Sequence, residues 1–305
     1  MPTTDRSGTV EPFRLAWPLT IREAWTQASS YLSGSGVEDG AHHAELLLRH
    51  VLNWDRAVYL LHLPDTFPEH GASAYEEAVQ RRSTGEPTQY IMGEAYFYGR
   101  RFAVSSSVLI PRPETELLVE AVLEEADRIW PLRESAITAA DIGTGSGAIA
   151  CTLAAERPEW KLIGVDLSPD ALRVAQSNAR ALRIAESLEW LEGDLLRPLE
   201  GRSIDILVSN PPYIPEADME GLQREVRDFE PHLALVGGQD GLDPYRRMIG
   251  MMNEWGKLPS ILAFELGQGQ AQDVARLIKE QGSWPHIRIV KDLAGIDRHV
   301  LGMRD

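Results

Sequence analysis

The sequence has little cysteine and no long hydrophobic run. Cys151 is the one cysteine among 305 residues, which excludes an internal disulfide framework and fits a reducing compartment. No apolar run approaches the roughly 20 residues that span a bilayer. The amino terminus, MPTTDRSGTV, lacks the apolar core of a signal peptide. We therefore expect a cytoplasmic protein that is not inserted in a membrane.

Basic residues are also scarce. The chain has 30 Lys and Arg against 46 Asp and Glu, a formal net charge of −16. Proteins that bind nucleic acid through its phosphates need clustered basic side chains, and no such cluster is visible in the sequence. A nucleic-acid partner is therefore unlikely, although folding can still assemble a local basic groove.

The sequence offers no convincing set of metal ligands. His42, His43 and His50 lie close together, but their spacing is that of a helix surface and not of a ligand set. We expect no metal site.

The first part of the chain predicts a tail and a small helical domain. Residues 1–19 are rich in turn formers and read as a loose tail. Residues 20–86 show apolar side chains at helical spacing, with capping boxes predicted at Thr20 with Glu23 and at Ser73 with Glu76. We expect this domain to recognise the substrate.

The rest of the chain predicts an α/β domain. Residues 87–110 change to aromatic and β-branched residues interrupted by glycine, which indicates a β-hairpin linker. From residue 111 to 305, apolar runs alternate with helical segments. This alternation predicts a parallel sheet with helices on both faces.

A glycine-rich loop follows the first predicted strand of this domain, in DIGTGSGAIA. Gly143, Gly145 and Gly147 lie between strand and helix, where glycine allows the backbone to approach a ligand closely. A dinucleotide fingerprint needs G-x-G-x-x-G, and here the third glycine comes one residue early. Asp166 ends the next strand, where a carboxylate can accept both hydroxyls of a ribose. Tight packing remains the alternative explanation of the glycines.

Two further strand ends carry polar residues. Asp194 and Leu195, in EGDLL, suit an adenine, as an acceptor for its amino group and an apolar neighbour for its ring; a helix cap at Asp194 is equally compatible. The run Ile204 to Val208 is followed by SNPPYI, and two prolines end a strand because they donate no backbone hydrogen bond. Asn210 therefore lies at the sheet edge where ligands bind in such folds.

These strand ends, DIGTGSG, VD, GD and NPPY, together resemble those of the S-adenosylmethionine-dependent methyltransferases that act on planar nitrogens. Such enzymes methylate amino groups of adenine and cytosine in DNA and RNA, or the glutamine of proteins. The resemblance implies a Rossmann-like, seven-stranded class I methyltransferase sheet, S-adenosylmethionine as the cofactor and S-adenosylhomocysteine as the product. It implies that the following residues bind the cofactor: Gly143, Thr144, Gly145, Ser146, Gly147, Asp166, Asp194, Leu195 and Asn210.

The NPPY residues suit an amide nucleophile, whose nitrogen lone pair is delocalised. The side-chain oxygen of Asn210 and the carbonyl of Pro211 can each accept one N–H of the amide and orient it. Pro212 stiffens the segment, and Tyr213 can pack on the flat group. The alternative is that Asn210 to Tyr213 form only a structural turn.

Residues 87–120, PTQYIMGEAYFYGRRFAVSSSVLIPRPETELLVE, are similar to the segment that precedes the catalytic domain in the HemK/PrmC family of release-factor glutamine methyltransferases. The resemblance continues through VRDFEPHLAL at 226–235 and DRHVLG at 297–302, and covers about residues 20–305. It implies methyl transfer to the glutamine of the Gly-Gly-Gln motif of class I peptide release factors. Alternatives are a ribosomal-protein glutamine methyltransferase, a nucleic-acid amino methyltransferase, and a binding module with idle NPPY residues.

Overall fold

A computed structural model describes residues 12–131 and 137–304. Within these ranges the α-helices are α1 Ile21–Gly34, α2 Gly40–Leu52, α3 Arg56–His62, α4 Glu69–Ser83, α5 Thr88–Met92, α6 Pro113–Ile129, α7 Ala148–Glu156, α8 Pro169–Ala181, α9 Arg224–Phe229, α10 Asp243–Met252 and α11 Ala271–Gln281. The strands there are β1 Glu94–Phe97, β2 Arg100–Ala103, β3 Thr138–Ile142, β4 Lys161–Asp166, β5 Leu188–Glu192, β6 Ile206–Ser209, β7 Ile261–Glu265, β8 His286–Lys291 and β9 Asp297–Met303.

The chain divides into two compact units. The helical unit contains the residues up to Gly93 together with Gln223–Phe229. The sheet unit contains Glu94–Leu222 and the residues from Glu230 onward. The division falls inside the predicted linker of residues 87–110. The first part of this linker is not part of a β-hairpin: Thr88–Met92 form a short helix that ends at Gly93, which has the left-handed conformation.

The helical unit begins with a segment that the sequence predicts as a loose tail. Residues 1–11 of that segment lie outside the described residues. In the described part, Phe13, Leu15 and Leu19 are buried in the apolar core of this unit, and Glu76 accepts a hydrogen bond from the backbone N–H of Leu15 at 2.9 Å. These residues therefore pack against the helices, because burial of their apolar side chains stabilises the contact.

One of the two predicted capping boxes is confirmed. The Thr20 hydroxyl accepts from the backbone of Glu23, whose carboxylate accepts in turn from the backbone of Thr20. The prediction at Ser73 is wrong, because α4 already begins at Glu69, after Pro68 in extended conformation. Ser73 lies inside that helix. Ser73 and Glu76 have the three-residue spacing of a capping box, but they are not at a helix start.

Buried polar side chains join α9 to the rest of the helical unit. Arg82 is 5% exposed, and its Nη2 donates to Glu225 Oε2 at 2.7 Å. His43 Nδ1 lies 2.7 Å from the hydroxyl of Thr88, and burial, followed by the charge of Arg82, lowers the pKa of His43 to about 4. Because this pKa lies well below 7, the His43 imidazole is uncharged at neutral pH, and it takes part in the hydrogen bonds in that form.

The sheet unit is built on a seven-stranded sheet with the order β5-β4-β3-β6-β7-β9-β8. The strands from β5 to β7 are parallel, and β9 runs antiparallel to both β7 and β8. The predicted fold class, a Rossmann-like seven-stranded sheet, is confirmed. The order reverses at β3, which lies between β4 and β6, and ligands bind at such a switch point.

Apolar side chains of the central strands alternate between two cores. Ile206 and Val208 belong to the core that includes α6 and α7, whereas Leu207 belongs to the core that includes α10 and α11. This alternation follows from the two-residue period of a strand, and it explains why the first three residues of β6 are all apolar. Helices therefore cover both faces, and the strand ends are left to form a site.

A buried amide on α8 holds the hairpin of β1 and β2 against the rest of the sheet unit. Tyr98 and Gly99, at the turn, both have positive φ, as a tight hairpin requires. Asn178 on α8 is 2% exposed. It exchanges hydrogen bonds with the backbone N–H and C=O of Ala103, at 2.7 and 3.0 Å, and donates to the carbonyl of Ser146 at 2.9 Å. One side chain thus connects a helix, the hairpin and the glycine-rich loop.

We expect Asn178→Ala to lower the free energy of unfolding by about 2–4 kcal/mol, because each buried group that loses its hydrogen-bond partner costs about 1–3 kcal/mol. Urea denaturation of the full chain measures the change. Asn253→Ala is the matched control, since Asn253 is exposed and its side chain accepts a long hydrogen bond from Gln281, at 3.4 Å. Equal stabilities for the two variants would show that Asn178 does not hold these elements together.

Candidate active site

A cavity of about 500 Å³ opens at the carboxyl ends of β3, β4 and β6, entirely within the sheet unit. Of the residues predicted for the site, those that line it are Gly143, Thr144, Gly145, Ser146, Asp166, Asp194, Leu195, Asn210 and Pro212. Gly147, Pro211 and Tyr213 are not among the lining residues. The structure therefore brings together residues from four separate strand ends.

The glycine-rich loop follows β3 directly. Gly143 and Gly145 have φ of 70° and 56°, in the left-handed region that favours glycine. Gly147 is the N-cap of α7 and also has a positive φ, 78°; a Cβ there would lie 3.0 Å from the Cβ of Ala175 and 3.2 Å from the ring of Trp190. Both its conformation and tight packing therefore favour glycine at 147, whereas Gly143 and Gly145 give the loop its shape at the cavity wall.

Asp166 ends β4 and faces the loop. Its two carboxylate oxygens accept hydrogen bonds from the backbone N–H groups of Gly145, at 2.8 Å, and Ser168, at 2.9 Å. Burial raises the pKa of Asp166, and the hydrogen bonds from Ser168, Gly145 and Leu167 oppose that rise. Each carboxylate oxygen has two lone pairs, so the group keeps the capacity to accept hydroxyls of a ligand.

Asp141 does not line the cavity but supports the glycine-rich loop from behind, a role that was not predicted from the sequence. It is fully buried on β3, and its Oδ2 accepts from the hydroxyl of Thr144 at 2.6 Å and from the backbone of Ala150 at 3.1 Å. Burial raises the pKa of Asp141 to about 7, and the charge of Asp166 adds to the effect. Its sequence signal was present, since a carboxylate two residues before Gly143 interrupts an apolar strand.

Asp194 and Leu195 lie after β5. Asp194 does not cap a helix through its side chain; its Oδ2 accepts from Arg247 Nη2 at 2.5 Å. Leu195 has φ of 51°, an uncommon conformation for a residue other than glycine. The ion pair and the unusual backbone together place a carboxylate and an apolar side chain side by side on the cavity wall.

Asn210 lies directly after β6. Its Nδ2 donates to the hydroxyl of Thr115 at 3.2 Å. No residue in the described ranges donates a hydrogen bond to its Oδ1. Ser209, one residue earlier, donates to the carbonyl of Ile142 at 2.6 Å and so ties the end of β6 to the end of β3. Asn210 therefore presents an acceptor that the protein leaves available.

A hydrogen bond from Gln270 holds the end of the NPPY segment in place. Gln270 donates to the carbonyl of Tyr213 at 2.9 Å, and burial raises the pKa of the Tyr213 phenol to about 12. A Cβ on Gly241 would lie 2.2 Å from the Tyr213 carbonyl oxygen. The Gly-Gly-Gln sequence at 237–239 lies in the same loop: a Cβ on Gly237 would lie 2.7 Å from the Pro212 carbonyl oxygen, and Gly238 has φ of 89°, so both positions favour glycine.

The segment IPRPETE contributes three lining residues, Pro111, Arg112 and Thr115, at and just before the start of α6. Arg112 Nη2 donates to Glu230 Oε1 at 2.6 Å, and the Glu230 side chain is 1% exposed. In the sequence, this segment is informative only through its resemblance to a family. Its contribution to the cavity was not visible, because residues 112 and 210 are far apart in the chain.

Metal clusters and membrane-spanning helices are both absent from the part of the chain that the structure describes. Across residues 12–131 and 137–304, no three His, Cys, Asp or Glu side chains are arranged to hold a metal ion. In the same part of the chain, no helix has the length and apolar character needed to cross a membrane.

Family models match two parts of the chain. The model described as the PrmC N-terminal domain matches residues 23–93, and the model described as the methyltransferase small domain matches residues 113–229. The N-terminal domain of human METTL16, solved in complex with SAH, has a similar fold. Its TM-score is 0.51 at 17% identity, with 67% of this chain and 76% of that chain covered. At this identity the likeness concerns the fold alone.

Two relatives are similar over nearly their full length, and both are named release factor glutamine methyltransferase. The protein from Koribacter versatilis is 43% identical over 292 residues, which cover 94% of this chain and 99% of that protein. The protein from Bacillus cereus is 41% identical over 284 residues, which cover 92% and 98%. The methyltransferase class and the family predicted from the motifs are therefore confirmed, and the chain belongs to the release factor glutamine methyltransferase family.

Proposed function

We propose that this chain transfers a methyl group from S-adenosylmethionine to the side-chain amide nitrogen of the glutamine in the Gly-Gly-Gln motif of class I peptide release factors. The observation that carries the proposal is a single cavity lined by the carboxylate of Asp166 and by Asn210, whose Oδ1 is available as an acceptor. The two relatives at 43% and 41% identity, both named release factor glutamine methyltransferase, support the choice of substrate.

The cavity fits a nucleoside cofactor. Its volume of about 500 Å³ lies inside the range of about 300–1,000 Å³ typical of ligand pockets. Asp166 would hold the ribose hydroxyls, and Asp194 with Leu195 would hold the adenine. The loop of residues 143–147, which follows β3, would bind the cofactor beside the end of that strand. When bound, S-adenosylmethionine supplies an electrophilic methyl group and leaves as S-adenosylhomocysteine.

The residues of NPPY would position the amide. Its nitrogen is a weak nucleophile, because the lone pair is delocalised into the carbonyl. Asn210 Oδ1 accepts one N–H of the glutamine amide, and the carbonyl of Pro211 accepts the other, so that the nitrogen lone pair points at the methyl group. The nitrogen gains the methyl and releases one proton. Pro212 keeps the segment stiff and Tyr213 supports it from the core.

The helical unit would select the release factor. The cavity-lining residues lie in the sheet unit, so the helical unit adds no visible group to the chemistry. A glutamine side chain presents too few atoms to distinguish one protein from another, and selectivity must come from a wider surface. Release factors work in the cytoplasm, and we place the enzyme there too; its buried Cys151 thiol fits that compartment.

An assay with labelled cofactor tests the substrate. The full chain is offered an intact class I release factor, the same factor with the motif glutamine changed to alanine, a short Gly-Gly-Gln peptide, a ribosomal protein and DNA. We expect label on the intact factor, none on its alanine variant, and a much lower kcat/KM for the peptide. Label on DNA or on the ribosomal protein in preference to the factor would overturn the proposal.

We expect Asn210→Ala to lower kcat on the release factor by about two orders of magnitude, the size of effect seen when a preorganised polar contact to the reacting group is removed. Steady-state kinetics of the variant measure it, with circular dichroism to check folding. Turnover close to that of the unaltered chain would leave NPPY as a structural turn only.

A further inference from the structure

The carboxylate of Asp194 is engaged by the protein through one of its two oxygens. Its Oδ2 accepts a hydrogen bond from Arg247 Nη2 at 2.5 Å, and Arg197 Nε lies 3.8 Å from the same oxygen. In the two described stretches of the chain, no group donates a hydrogen bond to Oδ1. Asp194 lines the cavity, so its second oxygen is left to accept a hydrogen bond from a ligand there.

The chemistry of this pair allows one arrangement of donor and acceptor. A guanidinium only donates hydrogen bonds and a carboxylate only accepts them, so the contact between Arg247 and Asp194 cannot reverse its direction. The two oxygens of a carboxylate are chemically the same, and a half-turn of the group exchanges identical atoms. Whichever oxygen faces Arg247, the other one is an acceptor.

Arg247 is carried by a helix that packs firmly on the sheet. Tyr245 and Met248, close to it on α10, are fully buried. The hydroxyl of Tyr245 donates to the carbonyl of Glu265, at the end of β7, at 2.7 Å. Arg247 itself lines the cavity. Its guanidinium therefore reaches Asp194 from a backbone whose position is fixed by the core.

The segment that carries Asp194 is tied to the end of β4. The backbone N–H of Gly193 donates to the backbone carbonyl of Asp166 at 2.9 Å. The backbone next to Asp194 therefore keeps its place beside Asp166, and the freedom that remains to Asp194 is rotation of its side chain. The hydrogen bond from Arg247 restricts that rotation.

We propose that Arg247 is a positioning residue that holds the Asp194 carboxylate so that its second oxygen accepts a hydrogen bond from the amino group of the cofactor's adenine. The inference rests on the placement of adenine at Asp194 under the proposed function. Its test measures cofactor binding and uses no methyl acceptor. An error in the proposed release-factor substrate would leave that test unchanged, and the labelling assay would detect it separately.

The first test is calorimetric titration of S-adenosylmethionine into Arg247→Ala. The two side chains are 52% and 27% exposed, and a partly exposed ion pair contributes little. We therefore expect a modest loss of affinity, roughly 2- to 5-fold. Arg247→Lys keeps the charge and a donor and should restore part of the affinity. Circular dichroism checks that the variants fold.

Arg246→Ala is the matched control. Arg246 is the next residue on α10, its side chain is 44% exposed, and its Nη2 donates to Asp240 at 2.5 Å. Neither Arg246 nor Asp240 is among the residues that line the cavity. We expect this variant to bind S-adenosylmethionine as the unaltered chain does. A loss equal to that of Arg247→Ala would come from removing any arginine of α10, and it would overturn the proposal.

A double-mutant cycle separates positioning from direct contact with the cofactor. Asp194→Ala should lower the affinity for S-adenosylmethionine by roughly tenfold or more, because a hydrogen bond to a charged group is lost. In that background Arg247→Ala should cause no further loss, because no carboxylate remains to be held. Additive losses, or unchanged affinity in either single variant, would overturn the proposal.

Discussion

The pairing of β3 with two parallel neighbours sets the geometry of the whole site. Ile142, the last residue of β3, is paired with Val165 on β4 and with Ser209 on β6. The next residues along the three strands are Gly143, Asp166 and Asn210, and they therefore lie side by side at one edge. Because parallel strands end at the same edge, cofactor and substrate groups can meet there without a long loop to carry either.

Buried polar contacts then give this edge its stiffness. Thr144 donates to Asp141, Gly145 donates to Asp166, and Ser209 donates to the carbonyl of Ile142. The first contact joins the glycine-rich loop back to β3, the second joins the loop to the end of β4, and the third joins the end of β6 to the end of β3. Hydrogen bonds in such surroundings are costly to break, so the strand ends keep their spacing. The rise in the pKa of Asp141 shows the cost of keeping a carboxylate in this position.

Local signals predicted the parts of the structure that depend on neighbours in sequence. The Thr20 capping box, the glycine-rich loop and the proline stop after β6 are of this kind. The prediction at Ser73 failed because a box by spacing alone does not exclude an earlier helix start at Glu69. Contacts between distant residues had no local signal: Thr115 with Asn210, Asn178 with Ala103, and the burial of Phe13 depend on tertiary packing.

We propose that this sheet edge has two parts, with the cofactor bound at the ends of β3 and β4 and the methyl acceptor held at the end of β6. Calorimetric titration of S-adenosylmethionine into Asp166→Ala and Asn210→Ala separates the two parts. A hydrogen bond to a charged group is worth about 1.5–3 kcal/mol, so we expect a loss of affinity of roughly tenfold or more for Asp166→Ala and a much smaller loss for Asn210→Ala. Unchanged affinity in Asp166→Ala, or equal losses in the two variants, would show that the edge is not divided in this way.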